Sequence, residues 1–230
     1  MAIGPVNNPY LQQILFQNLS SSTIQPNQLK DSTQLLNAAM NAKNSTANIS
    51  AAGSKINKVS QTIRSSGGMQ AFEGFQTAMQ RAGTAADPMQ MTRLVNSASY
   101  AANNDGAALN NSFAGLARTM GQNDNAFVDS FNKAFTSTVE QTGMSGLKSF
   151  NQGFASVEKA DYSNSSVSLT DNLKQYFATA NQAVTSGRSE EDSLSNMQRL
   201  AKGIEISEKA DDIYKFFNEF TGAEPTKGFA

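Results

Sequence analysis

NQLKDSTQLLNAAMNAKNSTANISAAGSKINKVSQTIR, residues 27–64, is the stretch whose reading decides the fold class. Leu35, Ala42, Ile49, Ile56 and Ile63 recur every seven residues, and Ala38, Ser45, Ala52 and Val59 fall three later in each heptad. Apolar side chains at that spacing line one stripe of an α-helix and need a partner helix to cover them. A long N-terminal helix with a packed seam is therefore expected. Small residues in its first half suit close approach, and Gly53 weakens it by about 1 kcal/mol relative to Ala. Ser65, Ser66, Gly67 and Gly68 end it.

Downstream the same period recurs in shorter pieces. Met69, Phe72, Phe75 and Met79 mark one helix; Met91, Leu94, Val95 and Ala98 mark the next, with Asp87–Pro88 as its cap and first turn. Leu109, Phe113, Leu116 and Met120 follow Asp105–Gly106, and Phe127, Phe131 and Phe135 follow Asp124 at a spacing that reads as core. Gly121 and Gly143 supply stops. Beyond Gly146 come Leu147, Phe150, Phe154 and Val157, then a Ser/Asn-rich loop and a capping box, Ser168 with Asp171, opening a helix through Val184. Ser189 caps a long C-terminal helix to Phe220, whose apolar phase slips beside Gly203 and predicts a break there.

All-α is thus the expected class: an extended multi-helix bundle with long N-terminal and C-terminal helices. Gly68-Met-Gln-Ala-Phe72 resembles Gly146-Leu-Lys-Ser-Phe150, and Leu109 with Leu116-Ala-Arg118 resembles Leu194 with Leu200-Ala-Lys202. Such internal similarity suggests two similar three-helix units. The expected organisation is a mobile N-terminal segment over 1–26, a helical bundle domain over 27–222, and a tail over 223–230.

Composition narrows the chemistry. The chain of 230 residues has no Cys, His or Trp. That removes disulfides, thiol nucleophiles, thiolate metal sites and the commonest general base and metal ligand. Ala, Ser, Asn, Gln and Thr make up 113 residues while charged residues reach only 16%, so hydroxyls and amides wet the helix surfaces more than ion pairs do. Glu190, Glu191 and Asp192 fall in a first helical turn, where carboxylates meet the positive end of the helix dipole, and Asp211–Asp212 read as solvent-facing. No spacing matches a phosphate loop, a calcium loop or a dinucleotide fingerprint. No enzyme activity, cofactor, metal site or small-molecule substrate is expected.

Charge is distributed unevenly. Residues 1–66 carry a net +4 and residues 186–230 a net −3, although the whole chain is at −1. Five basic residues over a long helix are too dilute for a nucleic-acid groove. They suit a protein partner or self-association, with the basic first helix and acidic last helix expected to be neighbours. Candidate contact residues are Lys55, Lys58 and Arg64 on the first helix and Phe216, Phe217 and Phe220 on the last, where adjacent aromatics cannot all share one narrow seam.

No charged residue precedes Lys30, and Gln12, Gln13, Gln17 and Asn18 interrupt the one apolar patch, so a Sec signal peptide and a transmembrane segment are not expected. This uncharged leader, rich in Ser, Asn, Gln, Thr and Ile, resembles the unfolded export signals of bacterial type III and flagellar secretion substrates. The resemblance implies a secreted or surface-associated bacterial effector, structural or assembly component. The alternative is an intracellular, cytoplasmic helical adaptor or coat protein; an enzyme of unrecognised type comes third.

Overall fold

A computed structural model describes residues 46–66, 68–85, 89–119 and 124–222. Over these residues the chain is all-helical, a bundle of eight helices with no strand: α1 (Thr46–Ser66), α2 (Gly68–Thr84), α3 (Met89–Asn104), α4 (Gly106–Thr119), α5 (Asn125–Lys159), α6 (Leu169–Thr185), α7 (Glu190–Glu205) and α8 (Ala210–Phe220). The first 45 residues, the Asp87–Pro88 cap, the Gly121 stop and the tail over 223–230 lie outside the described residues. So does the first part of the long seam. Within it, Val59 and Ile63 are buried and Ile56 packs partly against the core.

Helix starts follow the capping chemistry of the sequence. Asp124 accepts the amides of Ala126 and Phe127 at 3.0 and 3.2 Å. Ser168 Oγ accepts the Asp171 amide at 3.1 Å and donates to Asp171 Oδ2 at 2.7 Å. Ser189 receives the Asp192 amide at 3.1 Å, and Asp105 receives that of Ala108 at 3.0 Å. Each bond satisfies a first-turn N–H that has no partner within its helix.

The single long C-terminal helix expected over Ser189–Phe220 is two helices. α7 ends at Glu205 and α8 starts at Ala210, just beyond the phase slip at Gly203. Two apolar stripes out of phase cannot face one core along a straight axis, so the chain breaks and re-aims the second. Asp161 fixes the new start: its amide donates to Glu208 O at 2.9 Å and its carbonyl accepts from the Ala210 amide at 3.1 Å.

α5 is folded back on itself. Gly143, at φ +60° and ψ −148°, interrupts its helical backbone; a side chain is strained there, and glycine is not. The ring centroids of Phe131 and Phe150 are 6.2 Å apart and those of Phe131 and Phe154 6.4 Å. On a straight helix Phe131 and Phe150 stand about 28 Å apart. α5 is therefore a hairpin with a first arm over 125–142 and a second over 144–159.

α1 precedes the turn at Gly68, which has φ +71°, as the first arm precedes Gly143 in the chain. α1 to α4 pack on one another and form the first unit of the bundle, and the two arms of α5 pack with α6 and α7 and form the second. α2 packs on α4 as α5 packs on α7. At Gly74 a Cβ atom would lie 1.9 Å from the carbonyl oxygen of Phe113, so this crossing of α2 and α4 requires glycine.

One aromatic core joins the units. Phe113 of α4 meets Phe75 at 5.2 Å, Phe131 at 5.8 Å and Phe135 at 5.1 Å, while Phe131 also meets Phe177 of α6 at 5.5 Å. Offset and edge-on aromatic pairs at these separations add to the burial of their area. Asparagines pin the register between elements. Asn132 Nδ2 donates to Ala78 O at 2.9 Å, Asn151 to Ala108 O at 2.8 Å, Asn172 to Ala210 O at 2.9 Å and Asn196 to Ala183 O at 3.1 Å.

Candidate protein-contact surfaces

The two helices carrying the predicted contact residues belong to different parts of the bundle. α1 packs on α2, α3 and α4, whereas α8 packs on α6 and α7. This corrects the expected pairing of the basic first helix with the acidic last one within a chain. The physical reason is the aromatic core: α5 supplies large buried area to both sets of helices, and attraction between exposed charges is worth only about 0 to 1 kcal/mol per pair.

On α1, Lys55 and Lys58 are exposed. Lys55 Nζ donates to Asn96 Oδ1 of α3 at 2.8 Å. Arg64 is half-buried, with its guanidinium 4.3 Å from the centroid of the Phe72 ring and its Nε buried without a hydrogen-bond partner. Burial lowers its pKa from the usual arginine range. Thus the two lysines look outward while Arg64 closes the seam between α1 and α2.

On α8 the three phenylalanines have different roles. Phe217 is fully buried, with its centroid 6.1 Å from that of Tyr176, and so belongs to the core. Phe216 lies over Gly203 of α7 so closely that a Cβ at Gly203 would stand 2.1 Å from its ring. Phe220 packs on Phe216 at 5.7 Å and lies under the guanidinium of Arg199 at 5.9 Å. The trio mainly anchors α8 to its neighbours. Exposed residues nearby are Ile206, 73% exposed, Tyr214, 36% exposed, and the acidic Glu208, Asp212 and Glu219.

A groove of about 760 Å³ runs between α4 and the second arm of α5. Lys148 Nζ meets Asp105 Oδ2 at 3.3 Å, and Arg118 meets Glu158 through Nε at 3.1 Å and Nη2 at 2.9 Å. The Ala108 amide, helped by Lys148, holds the Asp105 carboxyl below its usual 3.8, and Glu158 holds Arg118 in its charged form. Asn111 and Asn151 lie between them, with Asn151 Oδ1 accepting from Ser112 Oγ at 2.6 Å. Such a lining can bind polar surface, and both its carboxylates are engaged by cations.

Glu190, Glu191 and Asp192 are exposed in the first turn of α7. Among the described residues, no group of three acidic side chains is placed to hold a metal ion, and no helix is long and apolar enough to cross a membrane. No protein-family model matches the chain, and no curated protein or solved structure shows significant similarity to it.

Missing from the sequence reading are the arginines facing α5. Arg81 binds Asp129, Arg93 binds Glu140 and Arg118 binds Glu158, so α2, α3 and α4 each contribute one guanidinium to a carboxylate of α5. Separations of 40 to 48 residues leave no local sequence signal for these pairs.

Proposed function

We propose that this chain is a non-enzymatic helical protein that acts through protein–protein contacts, as an exported or surface-associated bacterial effector, structural or assembly component. The observation carrying this reading is the division of its charges. Asp129, Glu140, Glu158 and Asp105 are committed to cations that fasten helices together, whereas α1 exposes only basic charge, Lys55 and Lys58, and α8 exposes three carboxylates to one lysine. Fixed ion pairs hold architecture, while outward charge of one sign steers encounters with a partner of the other.

Two measurements test it. A reporter carrying residues 1–29 should leave a type III-competent strain and stay inside its secretion-deficient derivative; retention in both favours the cytoplasmic adaptor. A photo-reactive residue at Lys58 or Tyr214 of the full chain should give a covalent protein adduct in the producing cell. Failure at both positions would count against the contact reading itself.

A further inference from the structure

We infer that the partner is a second copy of this chain, and that copies join head to tail, the basic outer side of α1 in one meeting the acidic outer side of α8 in the next. This rests on the protein-contact reading above and names the partner in it.

The argument starts where the two units meet inside one chain. The first arm of α5 opens the second unit and lies against the first one. Phe131 and Phe135 touch Phe113 of α4, Asn132 holds Ala78 O of α2, and Glu140 holds Arg93 of α3. Its other side faces its own unit through Phe150, Phe154 and Phe177. Consequently every residue from Phe131 to Val139 except Lys133 is buried. An opening helix with a unit on each side is covered all round.

α8 has the same beginning. Val128, Phe131, Phe135 and Thr136 of the first arm correspond in spacing to Ile213, Phe216, Phe220 and Thr221. The first arm lies on α2, α3 and α4, and α8 lies on α6 and α7, the third and fourth helices of its unit. α8 thus stands where the opening helix of a third unit belongs. Repeat proteins stack each unit on the one before, so the side of α8 away from α6 and α7 is the side on which the array continues.

Among the described residues, and unlike the first arm, α1 and α8 are each covered on one side only. α8 buries Ala210, Ile213 and Phe217 and exposes Asp211, Asp212, Tyr214, Lys215 and Glu219. α1 buries Val59 and Ile63 and exposes Ser54, Lys55, Lys58 and Gln61. No acidic residue occurs in α1, while α8 carries three carboxylates to one lysine, with Glu208 and the exposed Ile206 just before it. Opposite charge therefore faces outward at the two ends, with an apolar residue and an aromatic available on the acidic side.

A contact between two different surfaces is heterologous, so each added copy leaves one basic and one acidic end open and assembly proceeds by addition. Charge sets the partner and orientation, and raising salt weakens the contact.

Sedimentation velocity of the full chain at about 20 mM salt should show concentration-dependent association, weakened at least tenfold at about 1 M, where the screening length falls to roughly 3 Å. Lys55→Glu with Lys58→Glu should give a monomer that keeps its helical circular dichroism, and so should Asp212→Lys with Glu219→Lys. Mixing the two variants restores opposite charge at every junction, and association should return. The cross-link from Lys58 should then have twice the mass of the chain. A wild-type monomer at low salt, or a mixture that stays monomeric, overturns the inference; a Lys58 or Tyr214 adduct to a different protein would at the same time leave the contact reading standing.

Discussion

Arg81 of α2 and Asp129 of the first arm of α5 form a two-pronged ion pair across the junction of the two units, with Arg81 Nε 2.8 Å from Asp129 Oδ1 and each side chain about a quarter exposed. Forked geometry and partial burial place it above an ordinary surface pair. A double-mutant cycle on Arg81→Ala and Asp129→Ala is expected to give a coupling of about 1 kcal/mol in urea unfolding. A coupling near zero means that the pair follows the packing and does not contribute to it.

Glycine at position 74 is predicted to be indispensable. Gly74→Ala drives a methyl group into the Phe113 carbonyl and must separate α2 from α4, at a cost of about 1 to 3 kcal/mol or more. Gly53→Ala meets nothing within 4 Å and should stabilise α1 by about 0.5 to 1 kcal/mol, since alanine restricts the unfolded chain. Thermal unfolding of the two variants should shift in opposite directions.

Phe217 and Tyr214 lie three residues apart on α8 and separate anchoring from contact. Phe217→Ala removes a fully buried ring and is expected to cost about 3 to 5 kcal/mol. Tyr214→Ala changes an exposed side chain and should stay within about 0.5 kcal/mol in the monomer. Equal losses from both would mean that α8 is not seated by Phe217.

Stability should fall at both ends of the pH range. Backbone amides and lysines hold Asp105 and Asp124 below their usual 3.8, and Lys202 holds Glu205 below 4.5, with Lys174 the largest influence on Asp124 and the Ala108 amide on Asp105. Carboxyls with depressed folded pKa stabilise above the unfolded value and lose that contribution as pH drops through the folded one, so the urea midpoint should hold from about pH 7 to 5 and decline below about 4. Tyr176 is fully buried, donates to Phe150 O at 2.5 Å and titrates well above its usual 10.0. A raised folded pKa keeps its contribution intact below the unfolded value, so loss begins as pH rises past about 10. Tyr176→Phe should flatten that alkaline decline; an unchanged profile would assign it to another group.

The class of fold was legible because period, caps and stops are local. Asp124, Ser168 and Ser189 cap the helices expected of them, and the slip at Gly203 marks a real break. What Gly143 does was only half legible: a stop is written in one residue, but reversal into a hairpin depends on Phe131 finding Phe150 and Phe154. Likewise, the composition places amides in general on helix surfaces, yet Asn132 and Asn172 are fully buried, because an amide facing a carbonyl on a neighbouring element is specified by tertiary geometry alone. The charge asymmetry was visible, yet which element would cover each charged helix was not.

The most direct test of the account is a pair of distance measurements on this cysteine-free chain, spin-labelled through Lys58→Cys and Glu219→Cys. Adjacent helices lie about 8 to 10 Å apart. With both labels on one chain, diluted into unlabelled protein, the account predicts no short distance, since α1 and α8 pack on different helices. With the labels on separate chains mixed at low salt, it predicts a short distance that disappears at high salt. A short distance within the diluted chain, or none between the mixed chains, contradicts it.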